Sequence, residues 1–331
     1  MSKRWIWNIL KLIVAGAIFY YLLRTKQLDV KNLRSSVRRV DLFGASVVLI
    51  ILGTLITVLR WKIILASQNT FLSYGLVLKL TLVGCFFGTA LPGTLSGDFV
   101  KAYYLAKGEQ QKTTLISSIF CDRLLGLYSL ILIAVLAVTG SLVWSRISGH
   151  FGLWTQPLII SLGTFVSVLF VGMTVIGIVL INRKCRRSAF IQRMMTHLPF
   201  RDICRKIYDA FQQFGQNRNA LISALVLSFA ASFISYVGVF TLAQMLGIRE
   251  IKLIDYFFIL PVGMLAMAIP IAPSGLGVGE IGFSQIFLLF GSARGAEVAV
   301  MFHIIYLATA LGGGGLVYIF SDFNVPKTKI Q

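Results

Sequence analysis

LPGTLSGDFVK, residues 91–101, interrupts an otherwise apolar chain with a proline, two glycines and a carboxylate, and APSGLGVGEIGF, residues 272–283, interrupts it again in the same way. Both hold G-x-x-x-G followed at once by an acid: Gly93, Gly97 and Asp98 in the first, Gly275, Gly279 and Glu280 in the second. Pro92 and Pro273 stand within two positions of the first glycine, and Gly93 and Gly275 are 182 positions apart. Proline removes a backbone donor and glycine permits positive φ, so a continuous helix is disfavoured at both places. The apolar pieces that follow, 99–107 and 281–291, are too short to cross a hydrocarbon core of roughly 30 Å and read as half-helices. Paired breaks of this kind predict an internal duplication. The expected fold is an all-α polytopic membrane protein of two pseudo-symmetric repeats, each with a glycine-rich broken or re-entrant helix hairpin.

The rest of the chain agrees with a membrane setting. Of its 331 residues 57% are hydrophobic and only 13% charged, against roughly 25% charged in an ordinary soluble domain. Apolar runs predict spans near 5–23, 42–60, 74–91, 113–140, 157–181, 220–246, 253–270 and 296–320. The N-terminal run continues into RTKQ without a small-residue cleavage site, which predicts a retained first helix. The net charge of +19 sits in the loops, where anionic headgroups and the positive-inside rule account for it, so no nucleic-acid partner is expected.

Three parts follow: a first half over 1–181 with the first hairpin, a basic loop over 182–219, and a second half over 220–331 with the second hairpin. The loop carries nine Lys and Arg against Asp202 and Asp209, which predicts a cytoplasmic position. Within it Phe200, Ile203, Ile207, Ala210, Phe211 and Phe214 recur at helical spacing, predicting a basic amphipathic helix in the headgroup layer, with a cap packed on the bundle as the alternative. The segment 24–41 also carries six cations. Charge counting would place it on the same side as 182–219, which requires 74–91 to cross fully; a re-entrant hairpin over 74–107 leaves three crossings and opposite sides.

Charges within the spans mark candidate site residues. Asp122 and Arg123 lie about ten residues into the span that begins at 113, roughly 15 Å deep by helical rise. Neighbours on a helix point about 100° apart, so each needs another partner, and Asp98 and Glu280 are the acids available to Arg123. Ser118, Asp122 and Gly126 share one face and form a polar stripe suited to line a path. His303 follows Glu280 by 23 positions, close to the 24 from Asp98 to Asp122, and reads as a hydrogen-bonded core residue or a proton-linked one. The breaks themselves read as a substrate site, because half-helix N-termini present free N–H groups to anions. Helix packing through small-xxx-small contacts and a structural ion-pair network are the competing explanations. The candidate substrate-binding set is therefore Asp98, Asp122, Arg123, Glu280, Gly93, Gly97, Gly275, Gly279 and His303.

No catalytic or metal set is expected. Cys85 and Cys121 lie in apolar segments and Cys185 and Cys204 in the basic loop, without a C-x-x-C or a metal-ligand spacing, and read as free thiols. Nucleotide-binding and hydrolase motifs are missing from the sequence, so neither a cofactor nor an enzymatic activity is expected.

LPGTLSGDFVKAYYL with the following CDRLLGL, and PIAPSGLGVGE with the helix after it, resemble the flippase-like transmembrane family related to the lysylphosphatidylglycerol synthase membrane region. The resemblance runs through nearly the whole chain. It implies moving or handling lipids in the cytoplasmic (inner) membrane, two re-entrant hairpins facing one another, and functional roles for Asp98, Asp122, Arg123 and Glu280. Gly279 stands where the family often has a basic residue, and His303 where it often has an arginine, which argues against an aminoacyl-lipid substrate. With the sequence ending at 331, no soluble transferase domain is expected and so no synthesis of lysyl-lipid by this chain. The functional expectation is a lipid translocase or transporter with membrane lipids, anionic ones above all, as partners. A membrane-embedded lipid-modifying enzyme and a non-transporting partner of an envelope-biosynthesis enzyme are the alternatives, and a homo-oligomer is a further possible association.

Overall fold

The computed structural model describes residues 39–90, 96–106, 112–148, 154, 156–182, 208, 211–268 and 277–320. The helices are α1 Val40–Ser67, α2 Tyr74–Ala90, α3 Ser96–Ala106, α4 Lys112–Ser148, α5 Pro157–Ile181, α6 Arg218–Met245, α7 Leu253–Met267, α8 Val278–Leu289 and α9 Gly295–Ala308. A π-helical turn, Thr309–Gly315, carries α9 into α10, Leu316–Phe320. Among the described residues five helices are long and apolar enough to cross a membrane: α1, the Leu115–Ser148 part of α4, α5, α6 and the Gly295–Phe320 run. The chain is an all-α polytopic membrane protein. The expected first helix at 5–23 and both glycine-rich breaks, with Gly93 and Gly275, lie outside the described residues.

α2 and α7 have 17 and 15 residues, about 25 and 22 Å by helical rise, short of the hydrocarbon core. Each is followed by a half-helix that doubles back along it. A Cβ built on Gly97 of α3 runs into the Gly84 carbonyl of α2, and one on Gly84 comes within 2.6 Å of Lys101. Only an antiparallel return brings 97 and 101 beside 84 across a break at 91–95. In the second half, Gly279 lies against Met267, Gly282 against Ala266 and Gly263 against Phe283, the same reversal. α2 with α3, and α7 with α8, therefore run as two antiparallel helix pairs, each a helical hairpin.

They open toward opposite ends of the bundle. Leu105 at the close of α3 clusters with Leu65, Leu72 and Leu115, so the first hairpin begins and ends where α1 finishes and α4 starts. Phe290 packs its ring against Phe258 and Trp154, and Arg294 donates to the Leu246 carbonyl, so the second begins and ends where α6 finishes and α9 starts. Ile64 of α1 shares a cluster with Phe211, Phe214 and Ala220, which puts the C-terminal end of α1 beside the start of α6 and leaves Val40 at the far end. This overturns the four-crossing arrangement that charge counting prefers, because α2 and α3 return to the end from which they came.

Both half-helices begin three residues before the expected 99 and 281. The reason is the carboxylate: Asp98 and Glu280 each occupy the third position of the first turn, where an acid complements the unpaired N–H groups and the positive end of the helix. The described part of the expected amphipathic helix is a cap on the bundle. Tyr208, Phe211 and Phe214 are buried, the Tyr208 hydroxyl donates to the Val179 carbonyl at 3.1 Å, and Gln212 donates to the Asn182 carbonyl at 3.4 Å. Their apolar faces pack on α1, α4, α5 and α6, the arrangement of the alternative expectation; Ile203 and Ile207 lie outside the described residues.

Candidate functional site

The close approach of α2 and α3 places Asp98 against the first third of α4. Arg123 grips it with two parallel bonds, Nε to Oδ2 at 2.5 Å and Nη2 to Oδ1 at 3.0 Å. Planar guanidinium and carboxylate match in this geometry, which fixes both side chains. One turn along α3, Lys101 adds a second cation, its Nζ 3.2 Å from Asp98 Oδ1 and 5.2 Å above the Trp61 ring. One carboxylate thus serves two cations. Asp98 is buried, whereas 49% of the Arg123 side chain remains exposed.

On α4 the neighbouring Asp122 points elsewhere, as the 100° step requires, and meets Arg60 of α1 at 2.7 Å. Arg60 also donates Nη1 to the Ser228 hydroxyl of α6 at 2.9 Å. Trp61 donates Nε1 to Ser118 at 3.3 Å, and a Cβ on Gly126 would stand 3.4 Å from the Arg60 guanidinium. The stripe of Ser118, Asp122 and Gly126 is therefore covered by α1 and lines no open path.

Glu280 is fully buried. Its Oε2 accepts the Gly277 N–H at 2.6 Å, and its Oε1 lies 2.8 Å from Nδ1 of His303. Gly277 has φ +85°, a conformation glycine adopts without a Cβ penalty, and this turns its N–H back onto the carboxylate. His303 Nε2 has no hydrogen-bond partner among the described residues. Gly279 packs beneath, its built Cβ 3.5 Å from His303 Cε1. The expected meeting of Asp98, Arg123 and Glu280 is thus half realised: the first two join, and Glu280 takes His303. A free anion site at the start of α8 is likewise closed, since its own Glu280 occupies that end. α4 and α9 both pack on the two hairpins, and on α9 Tyr306, one turn after His303, sets its hydroxyl near Gly88 and beside Cys85, within electrostatic reach of Asp98 and Arg123.

A bundle of helices, five of them long and apolar enough among the described residues to cross a membrane, agrees with the membrane domain that the sequence resemblance implies. Residues 8–314 match the family model described as the lysylphosphatidylglycerol synthase TM region. The chain belongs to that family. No curated protein and no solved structure matches it. Membership makes it a multi-pass membrane protein whose motif residues are read against a membrane domain.

Sequence reasoning missed Arg60, Trp61, Lys101, Ser228 and Tyr306. Lys101 carried a usable signal, since Asp98 and Lys101 stand three apart on one helix and must be neighbours. Arg60 carried a weaker one: a span ending at 60 makes it a terminal residue, whereas α1 continues to Ser67 and buries it.

Proposed function

We propose that this chain is an inner-membrane lipid translocase that binds the phosphate of a phospholipid or lipid-linked substrate at Arg123 and Lys101, between two inverted repeats whose hairpins re-enter the membrane. The observation that carries the reading is the imbalance around Asp98. Two cations share a single buried carboxylate, which leaves one positive charge uncompensated at about mid-depth, and Arg123 is half-exposed. Insertion scales put an uncompensated Arg or Lys at the centre of a membrane at about 2.5–3.5 kcal/mol. A lipid phosphate is the anion that a bilayer supplies in quantity, and it matches the guanidinium fork as the carboxylate does.

In this reading Asp98 holds Arg123 in place while no substrate is present and yields part of the fork to the arriving phosphate. Glu280 and His303 shape the second hairpin, and Tyr306 reports its position to the first. A lipid-modifying enzyme using Glu280 and His303 as an acid–base pair is the second reading, favoured by their 2.8 Å contact in a fully buried setting. Proteoliposomes carrying a phospholipid with a fluorescent acyl chain separate the two. A translocase exposes the label in the opposite leaflet with its mass unchanged. A change of lipid mass without leaflet transfer would overturn the proposal in favour of the enzyme.

A further inference from the structure

A cavity of about 270 Å³ lies on the face of α4 turned away from Arg123, among α4, α5, α6 and the 211–216 cap. Leu125 and Tyr128 form one wall, Gly177 and Ile181 the other, and Phe214 and Leu221 flank its mouth at the end of the bundle. Its two hydroxyls, on Tyr128 and Thr174, lie 3.4 Å apart, and Thr174 donates to the Phe170 carbonyl of its own helix. Little polar surface is left for a hydrated ligand, and an apolar cavity of this kind binds hydrocarbon and stays dry. α5 is the most outward-facing of the spanning helices, with Val168, Val171, Val175 and Ile178 exposed, so the surrounding phase is lipid.

The mouth selects the occupant. Ile181 is the last residue of α5, and Leu221 lies in the first turn of α6, three residues after the exposed Arg218. The stretch of sequence joining these two helix ends carries nine Lys and Arg against two Asp. We propose that the cavity holds one acyl chain of an anionic phospholipid, with the headgroup at the mouth beside Arg218. Hydrocarbon walls supply the affinity, and Arg218 with the basic composition of the adjoining sequence supplies the headgroup preference. The site lies on the other face of α4 from Asp98 and Arg123 and does not rest on the translocase reading, so either can fail alone.

Gly177 permits a clean test, because a Cβ added there meets nothing within 4 Å and a larger side chain enters open space without displacing backbone. Gly172, equally open on the same helix and outside the cavity, is the control. The full chain is reconstituted in phosphatidylcholine vesicles doped with phosphatidylglycerol that carries a diazirine in one acyl chain, and in parallel with phosphatidylcholine carrying the same group. After illumination, peptide mass spectrometry locates the adducts. Expected are adducts concentrated in Cys121–Tyr128 and Met173–Ile181, several-fold more from the anionic probe, falling several-fold in Gly177→Leu and unchanged in Gly172→Leu. Excess unlabelled phosphatidylglycerol should compete on the wild-type chain, and raised salt should narrow the headgroup preference. Equal labelling from both headgroups, adducts spread around the whole circumference of α5, or absence of competition on the wild-type chain would overturn the proposal.

Discussion

Asp98 and Glu280 stand at the same place in their half-helices, the third residue after a glycine-rich break, and yet end in opposite electrostatic settings. Asp98 is outnumbered by Arg123 and Lys101, one of them half-exposed. Glu280 has no exposure and is satisfied by a backbone N–H and one imidazole. A proline, glycines and an acid therefore specify where a hairpin turns and where its first helical turn is capped, but not whether the result is open or closed. That is decided by partners arriving from distant helices: two cations in the first half, a histidine in the second. The open, cation-rich hairpin is the one fitted to receive an anion, and the closed one is fitted to hold structure.

The largest effect expected is all-or-none and concerns the opposed orientation of the hairpins. In a background without the native cysteines, Phe71→Cys and Gly291→Cys should react with an impermeant thiol reagent from opposite membrane faces. Reaction of both from one face would break the comparison by making the hairpins parallel.

Next in size is the ion pair between Arg60 and Asp122, a fully balanced reference for the unbalanced Asp98 cluster. Arg60→Met strands a carboxylate in the bundle, and breaking a buried pair costs about 3–5 kcal/mol. Removing both charges in Arg60→Met with Asp122→Leu should restore much of the loss in thermal unfolding. An additive double variant would remove the pair from the account.

Glu280→Ala and Asp98→Ala sharpen the contrast directly. Loss of Glu280 leaves the Gly277 N–H and His303 Nδ1 unsatisfied, at roughly 1–3 kcal/mol each. The resulting fall in melting temperature should be indifferent to lipid headgroup. Loss of Asp98 frees two cations, so the same assay should show destabilisation that phosphatidylglycerol relieves and phosphatidylcholine does not. Identical lipid responses would mean that the two carboxylates do not differ as described. Smaller still is Lys101→Met, which loses the Trp61 and Asp98 contacts of the ammonium but leaves Asp98 held by both bonds from Arg123 and keeps an apolar stem against Trp61. It should leave thermal stability nearly unchanged while weakening phosphatidylglycerol binding measured by native mass spectrometry. An undiminished affinity would confine the anion to Arg123.

The sequence made the reversals between α2 and α3 and between α7 and α8 legible because proline and glycine act locally, and it made the Asp122 and Arg123 divergence legible because helical geometry alone demands it. Counting the acids available to Arg123 left two, Asp98 and Glu280, and the structure pairs it with the first. Arg60 was not legible, since an arginine at the apparent end of a span looks free to reach the surface, and nothing in α1 announces an acid on α4. The destination of Glu280 was hidden for a similar reason. His303 is 23 residues away, and only the folding of α8 against α9 makes the two neighbours. Topology misled because loop charge reports the side of each loop only when the intervening segments are known to cross, and a hairpin resembles a crossing in composition.

The central claim is that Arg123 receives a lipid phosphate, and leaflet transfer per folded molecule tests it most directly. Wild type, Arg123→Lys and Arg123→Ala are compared in proteoliposomes with a fluorescent phosphatidylglycerol and with a neutral glycosyl-diacylglycerol of the same acyl chains. Lysine keeps the charge but loses the planar fork. The account expects wild type to transfer the phosphate-bearing lipid and not the neutral one, and both variants to lose that transfer by at least about tenfold, equivalent to about 1.4 kcal/mol, at unchanged folded yield. Wild-type rates in both variants, or equal transfer of the phosphate-free lipid, would contradict it.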